Sequence, residues 1–220
     1  GAGNLGPASE AAMPEPLTGR SRAVSIVNVG YRSTNYWVVS SGRSRLLVDL
    51  GWPGTMGTMR ANLARMDGPL DEIRCGRATH YQADHAGLAQ EDKLAGVPLL
   101  VVDLQAPAIP KMKRHTKPAD GYVEITTFDN VTIPLAESRP RLGEIGIEGE
   151  ILHTPGHSDD SVSLLLDDGS ALTGDLTPPG MAAAEQRERV ESSWRLLRQH
   201  GARRIYPGHG PVRSLPEDGP

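Results

Sequence analysis

The chain has 220 residues, 38% hydrophobic and 23% charged, a balance that suits one globular domain with a sizeable core. A formal net charge of −4 gives no general pull toward nucleic acid or anionic membranes, and no apolar run nears the length of a bilayer span. Cys75 is the sole cysteine, which excludes an internal disulfide and a thiolate zinc cage.

Residues 1–22 have neither the basic start nor the apolar core of a secretory signal. They are set apart as a tag or disordered N-terminus, leaving 23–220 as a single domain expected in the cytoplasm. Alternating apolar residues then predict strands over 23–29, 33–40 and 45–51, joined by glycine-containing turns. Helical spacing covers 56–66, a strand covers 73–80, a helix 86–95 and a strand 97–102. Residues 103–121, rich in proline and lysine, have no clear period and read as a loop or short broken helix. Strands are predicted at 122–128, 130–135, 149–154, 161–167 and 170–175. A long helix at 182–201 stops at Gly201, and a last strand covers 203–208. Runs of strands with helices between and after them predict two packed sheets with helices outside.

Histidines and acids gather where these strands end. THYQADHAG (79–87) carries His80, Gln82, Asp84 and His85; TPGH (154–157) carries His157; LTGD (172–175) ends at Asp175; and YPGHG (206–210) carries His209. Any one of these is an ordinary turn residue, and Asp84 alone could cap a helix. Four strand ends in this order are a different matter, because strands that finish at one sheet edge converge on a point. Imidazoles with carboxylates suit zinc, manganese or iron, and a water-accessible position makes such a site catalytic.

These motifs resemble those of the metallo-β-lactamase-fold hydrolases, in the glyoxalase II and lactonase-like branch. THYQADHAG is similar to that family's HxHxDH motif except at one position, and VDLG (48–51) is similar to its opening strand. The resemblance implies an α/β fold, a four-layer αββα sandwich with metals at one edge. It implies a first metal held by His80, His157 and the position of Gln82, a second held by Asp84, His85 and His209, and Asp175 between the two. The implied cofactor is two zinc ions, with manganese or iron as alternatives. The implied activity is hydrolysis of a small carbonyl ester, thioester or lactone by a metal-bound hydroxide, with Asp84 and Asp175 as the catalytic acids.

Gln82 departs from the pattern, since an amide oxygen is a weaker donor than imidazole. It could ligate through oxygen, hold a metal-bound water, or leave the first site weak. Two further readings stay open. His80, His157 and Asp175 alone form the two-histidine, one-carboxylate set of a non-haem iron dioxygenase of the persulfide dioxygenase type. The protein could also be a catalytically degraded binding module. Lys111, Lys113, Arg114 and His115 make 103–121 locally basic, which marks them as candidate substrate-binding residues for an acidic small molecule. No nucleic-acid or membrane partner is expected, and the oligomeric state is left open.

Overall fold

The computed structural model describes residues 23–215; the segment read as a tag, 1–22, lies outside the described residues, as do 216–220. The chain begins as a meander. β1 (Val24–Asn28), β2 (Trp37–Ser41) and β3 (Ser44–Val48) pair antiparallel, with Val27 opposite Val38 and Val39 opposite Leu46. Helix α1 (Met56–Arg65) then crosses over and returns the chain as β4 (Ile73–Arg77), parallel to β3. The next turns are α2 (Ala83–Ala86) and α3 (Ala89–Leu94). A small parallel pair, β5 (Leu100–Val102) with β6 (Val131–Ile133), adjoins β4 through a bridge from Gly76 to Leu99.

The second sheet follows α4 (Ser138–Glu144). It is built from β7 (Gly149–His153), β8 (Val162–Leu166), β9 (Ser170–Gly174), β10 (Arg204–Pro207) and β11 (Arg213–Ser214) in the order β11-β10-β9-β8-β7. β9 and β10 are parallel because α5 (Arg187–Gln199) carries the chain between them.

Period-two alternation explains the layers. Trp37, Val39, Leu46 and Val48 of the first sheet meet Val162, Leu164, Leu166 and Leu172 of the second in one buried cluster. Their sequence neighbours Val38 and Leu47 face the other way and pack with Met59 and Leu63 of α1. Leu165 and Ala171 likewise face outward, against Val190, Trp194 and Leu197 of α5. The result is helix, sheet, sheet, helix. With both faces of each sheet covered, the central strands are nearly continuous in apolar residues. Cys75 lies in the inter-sheet core, where burial pushes its thiol up to about 11.

The structure departs from the predicted elements at several places. The helix expected over 86–95 is divided into α2 and α3. Residues 103–121, read as a loop or short broken helix, take the second form as 3-10 turns at Asp103–His115 and Pro118–Asp120. Residues 122–128 alternate like a strand but form none; the segment is instead bonded to side chains of α3. There the Thr126 N–H donates to Gln90 Oε1 (2.9 Å), and Lys93 Nζ donates to Thr126 O (2.6 Å). α4 falls in a stretch without a prediction. Its Pro140 is tolerated because it sits in the first turn, where an N–H has no intrahelical partner.

Asp92 of α3 is 2% exposed and neither carboxylate oxygen has a partner. Burial, then the charge of Glu91, pushes its pKa up to about 8 against the opposing charge of Arg60. An acid whose folded pKa is raised leaves the native state with the extra proton, so stability is full below about pH 4 and falls as pH rises toward 8. Asp92→Asn should therefore unfold at higher urea than the parent. The difference should grow from pH 4 to pH 8 to the order of a few kcal/mol. Parallel unfolding curves with a pH-independent gap would contradict this.

Candidate metal centre

The motif residues leave strands at one edge of the sandwich. His80 follows β4, Asp84 and His85 lie on α2, His157 lies between β7 and β8, Asp175 follows β9 and His209 follows β10. Bonds across the sheets fix this edge: the Val162 N–H donates to Thr79 O (2.9 Å), and the Asn35 N–H donates to Gly208 O (2.7 Å).

Two glycines permit the close approach. Gly174 has φ +54, and a Cβ there would lie 2.3 Å from Thr79 Oγ1. A Cβ on Gly208 would lie 2.3 Å from Asp175 Oδ1 and 2.7 Å from His85 Cε1. Any side chain there would displace the acid or the imidazole.

Asp175 stands at the centre. Its Oδ1 is 3.2 Å from His85 Nε2, and its Oδ2 is 3.3 Å from His209 Nε2, 3.8 Å from His157 Nε2 and 3.9 Å from His80 Nε2. Asp84 Oδ2 lies 3.3 Å from His85 Nε2 and 3.4 Å from His209 Nε2, and accepts a hydrogen bond from Thr34 Oγ1 (3.1 Å). Two triplets thus form, His80 with His157 and Asp175, and Asp84 with His85 and His209. Within each, the ligating atoms lie within 4.8 Å of one another.

The other ring nitrogens are already engaged. His85 Nδ1 donates to Asp49 Oδ2 (2.9 Å), and His209 Nδ1 donates to Ser33 O (2.7 Å). Thr79 donates both its N–H (2.7 Å) and its hydroxyl (3.0 Å) to Asp49 Oδ1. Its oxygen is then left to accept from His80 Nδ1 (3.1 Å). Every one of these imidazoles turns Nε2 toward the common centre. His80 Nε2, His85 Nε2 and Asp175 Oδ1 are buried without a hydrogen-bond partner, because the 3.2 Å approach of the last two lacks hydrogen-bond geometry. Buried polar atoms are rarely orphaned, and convergent orphan nitrogens beside carboxylates fit a divalent metal.

The electrostatics agree. Burial works to lower the His85 pKa, but Asp49, Asp175 and Asp84 outweigh it and push the group up to about 12; this pocket favours positive charge at Nε2. Burial and the neighbouring His85 lower His80 to about 4, which leaves its lone pair available. Burial alone would raise Asp84 and Asp175, but contact with His85 holds both below the usual carboxylate range.

Gln82 precedes α2. Its carbonyl accepts the His85 and Ala86 N–H groups, but its side chain caps nothing. The free amide reaches His157, with Oε1 3.2 Å from Nε2. Beside it is a groove of about 290 Å³ lined by Tyr81, Gln82, Pro107, Lys111 and His115. The structure brings only two of the four basic candidates there. Lys113 Nζ is 3.0 Å from Glu124 Oε2, an exposed pair, and Arg114 lines neither cleft beside the site. A larger depression, about 670 Å³ along α5, carries none of the motif side chains that meet at Asp175.

Asp49 was missed as a site residue. VDLG carried the signal: an acid closing an apolar strand must find buried partners. Asp49 is fully buried, with φ +70.

Among the described residues, no helix is long and apolar enough to cross a membrane. The model of the metallo-beta-lactamase superfamily matches residues 29–209. A beta-lactamase-like protein 2 homolog of Drosophila melanogaster is 30% identical over 189 residues, 84% of this chain and 61% of that protein. An atrochrysone carboxyl ACP thioesterase of Aspergillus fumigatus is 29% identical over 201 residues, 89% of this chain and 42% of that protein. The chain therefore spans less than two thirds of the length of each of these two relatives. The crystal structure of TTHA1623 in a di-iron-bound form superposes with a TM-score of 0.67 at 21% identity, covering 87% of this chain and 94% of that one. With the αββα layers and the family match over most of its length, this chain belongs to the metallo-beta-lactamase superfamily.

Proposed function

We propose that the protein is a metal-dependent hydrolase of a small carbonyl ester, thioester or lactone, with zinc as the metal and manganese or iron as substitutes. The observation that carries this reading is the pair of triplets joined by Asp175, with buried Nε2 atoms left unpartnered at their centre. Metals bound there would lower the pKa of water and polarise a carbonyl, the chemistry that hydrolysis needs. His80, His157 and Asp175 hold one metal; Asp84, His85 and His209 hold the other. Asp49, Thr79 and the Ser33 carbonyl fix the imidazoles, so little reorganisation remains when substrate arrives. Asp84, facing two imidazoles and steadied by Thr34, is placed to take up the proton released by the attacking water. Lys111 and His115 line the substrate groove. The thioesterase among the relatives supports the acyl-transfer class.

A mononuclear iron dioxygenase would use only His80, His157 and Asp175. The second triplet is assembled just as closely, with an orphan His85 Nε2, and this favours hydrolysis. Metal analysis of protein purified without added metal, with turnover of an aryl ester, a thioester and a lactone, tests the reading. Two zinc or manganese ions per chain and chelator-sensitive turnover are expected. One iron per chain with no hydrolysis would overturn it.

Gln82 enters the same test. Its oxygen sits against His157 where the family motif has imidazole, and a neutral amide is the poorer donor. Gln82→His should tighten zinc at the first triplet by about tenfold or more. Two equally tight sites in the parent, unaltered by the substitution, would mean that the glutamine is already a competent ligand.

A further inference from the structure

A second cleft, about 280 Å³, opens beside the centre. His157, Asp175 and His209 form its floor, Thr177 and Pro178 one wall, and Arg213 the other. Arg213 is set in place by the fold. It lies on β11, whose pairing with Ile205 of β10 ties it to the strand that delivers His209. Its guanidinium sits 5.7 Å from the ring centroid of Trp194. Trp194 is 1% exposed and donates its Nε1–H to Thr177 O (2.7 Å), so one indole positions both walls.

Among the described residues no carboxylate forms an ion pair with Arg213, although it lines a cleft whose floor carries Asp175. Asp175, the acid of this cleft, is turned toward the histidines. Burial without a counter-charge holds the Arg213 pKa below its ordinary value. A guanidinium held by packing, partly dehydrated and without an ion pair among the described residues, beside a candidate metal centre, is suited to receive an oxyanion through its two-pronged fork.

We propose that Arg213 forms an anion subsite, selecting substrates that carry a carboxylate or phosphate group a short distance from the bond cleaved at the metal centre. The proposal rests on the hydrolase reading for the identity of that bond, not for the subsite. A cleft of about 280 Å³ accommodates a short acid arm, which makes an ester or thioester with an acidic tail the substrate class.

The test is calorimetric titration of the zinc-loaded protein with butyrate, succinate and 3-phosphonopropionate, three acids that share one carboxylate and differ at the other end. Succinate or 3-phosphonopropionate should bind about tenfold more tightly than butyrate, and the tighter of the two identifies the anion. Arg213→Met, which keeps a long stem over Trp194, should erase the preference and leave butyrate binding unchanged. Arg213→Lys should keep part of it, because an ammonium lacks the fork. Unfolding temperatures of both variants control for the packing of Trp194, and Arg213→Lys carries the test if Arg213→Met is unstable. Equal binding of the three acids by the parent, or a preference that survives removal of the guanidinium, would overturn the subsite. Ester turnover without anion preference defeats the subsite alone; preference without turnover defeats the hydrolase reading alone.

Discussion

Asp175→Ala is expected to strip metal from both triplets and to lower turnover by more than the roughly 10–100-fold that loss of a supporting partner costs. The Asp175 carboxylate lies within 4 Å of four imidazoles, His80, His85, His157 and His209. Without it those rings would face one another with centroids 4.3 Å (His80 to His85) and 5.4 Å (His85 to His209) apart, and with one carboxylate fewer to balance any cation between them. Asp175→Asn keeps the shape and removes the charge, so it should retain part of the metal and little of the activity. Metal content by mass spectrometry, with circular dichroism to confirm the fold, decides the matter. Full metal and full turnover in Asp175→Ala would refute the central position assigned here.

Asp49→Ala should be nearly as severe, through stability as well as metal affinity. The substitution leaves His85 Nδ1, the Thr79 N–H and the Thr79 hydroxyl without their acceptor in a fully buried place. Each orphaned group costs about 1–3 kcal/mol. Arg77 adds to the loss. It is buried with Nε and Nη1 unpartnered, and Asp49 supplies the largest charge interaction that sustains its protonation against burial. Urea unfolding should register a loss of several kcal/mol, and zinc affinity should fall about 10–100-fold as His85 loses its orientation. Asp49→Asn retains an acceptor and a residue type that accepts φ +70, so it should lie between the two. A variant that unfolds like the parent and binds zinc equally well would remove Asp49 from the site.

The sequence by itself determined the layers and put forward the candidate ligands, because both are written in short-range order. Alternation in VVSS and SRLLV decides which face of a strand is apolar whatever its neighbours are, and two such faces can be satisfied only by a second sheet and by helices. The spacing within THYQADH places Asp84 and His85 on one helical turn beside His80, so half of the centre was legible from seven residues. The rest depended on how distant strands register. That Asp49 holds His85 across 36 positions, that Gln82 leans on His157 across 75, and that β11 sets Arg213 beside His209 follow from sheet pairing and loop closure. No local pattern records these. Residues 122–128 make the same point from the other side: their alternation predicts a strand, but the segment joins no sheet and forms hydrogen bonds with Gln90 and Lys93 of α3 instead.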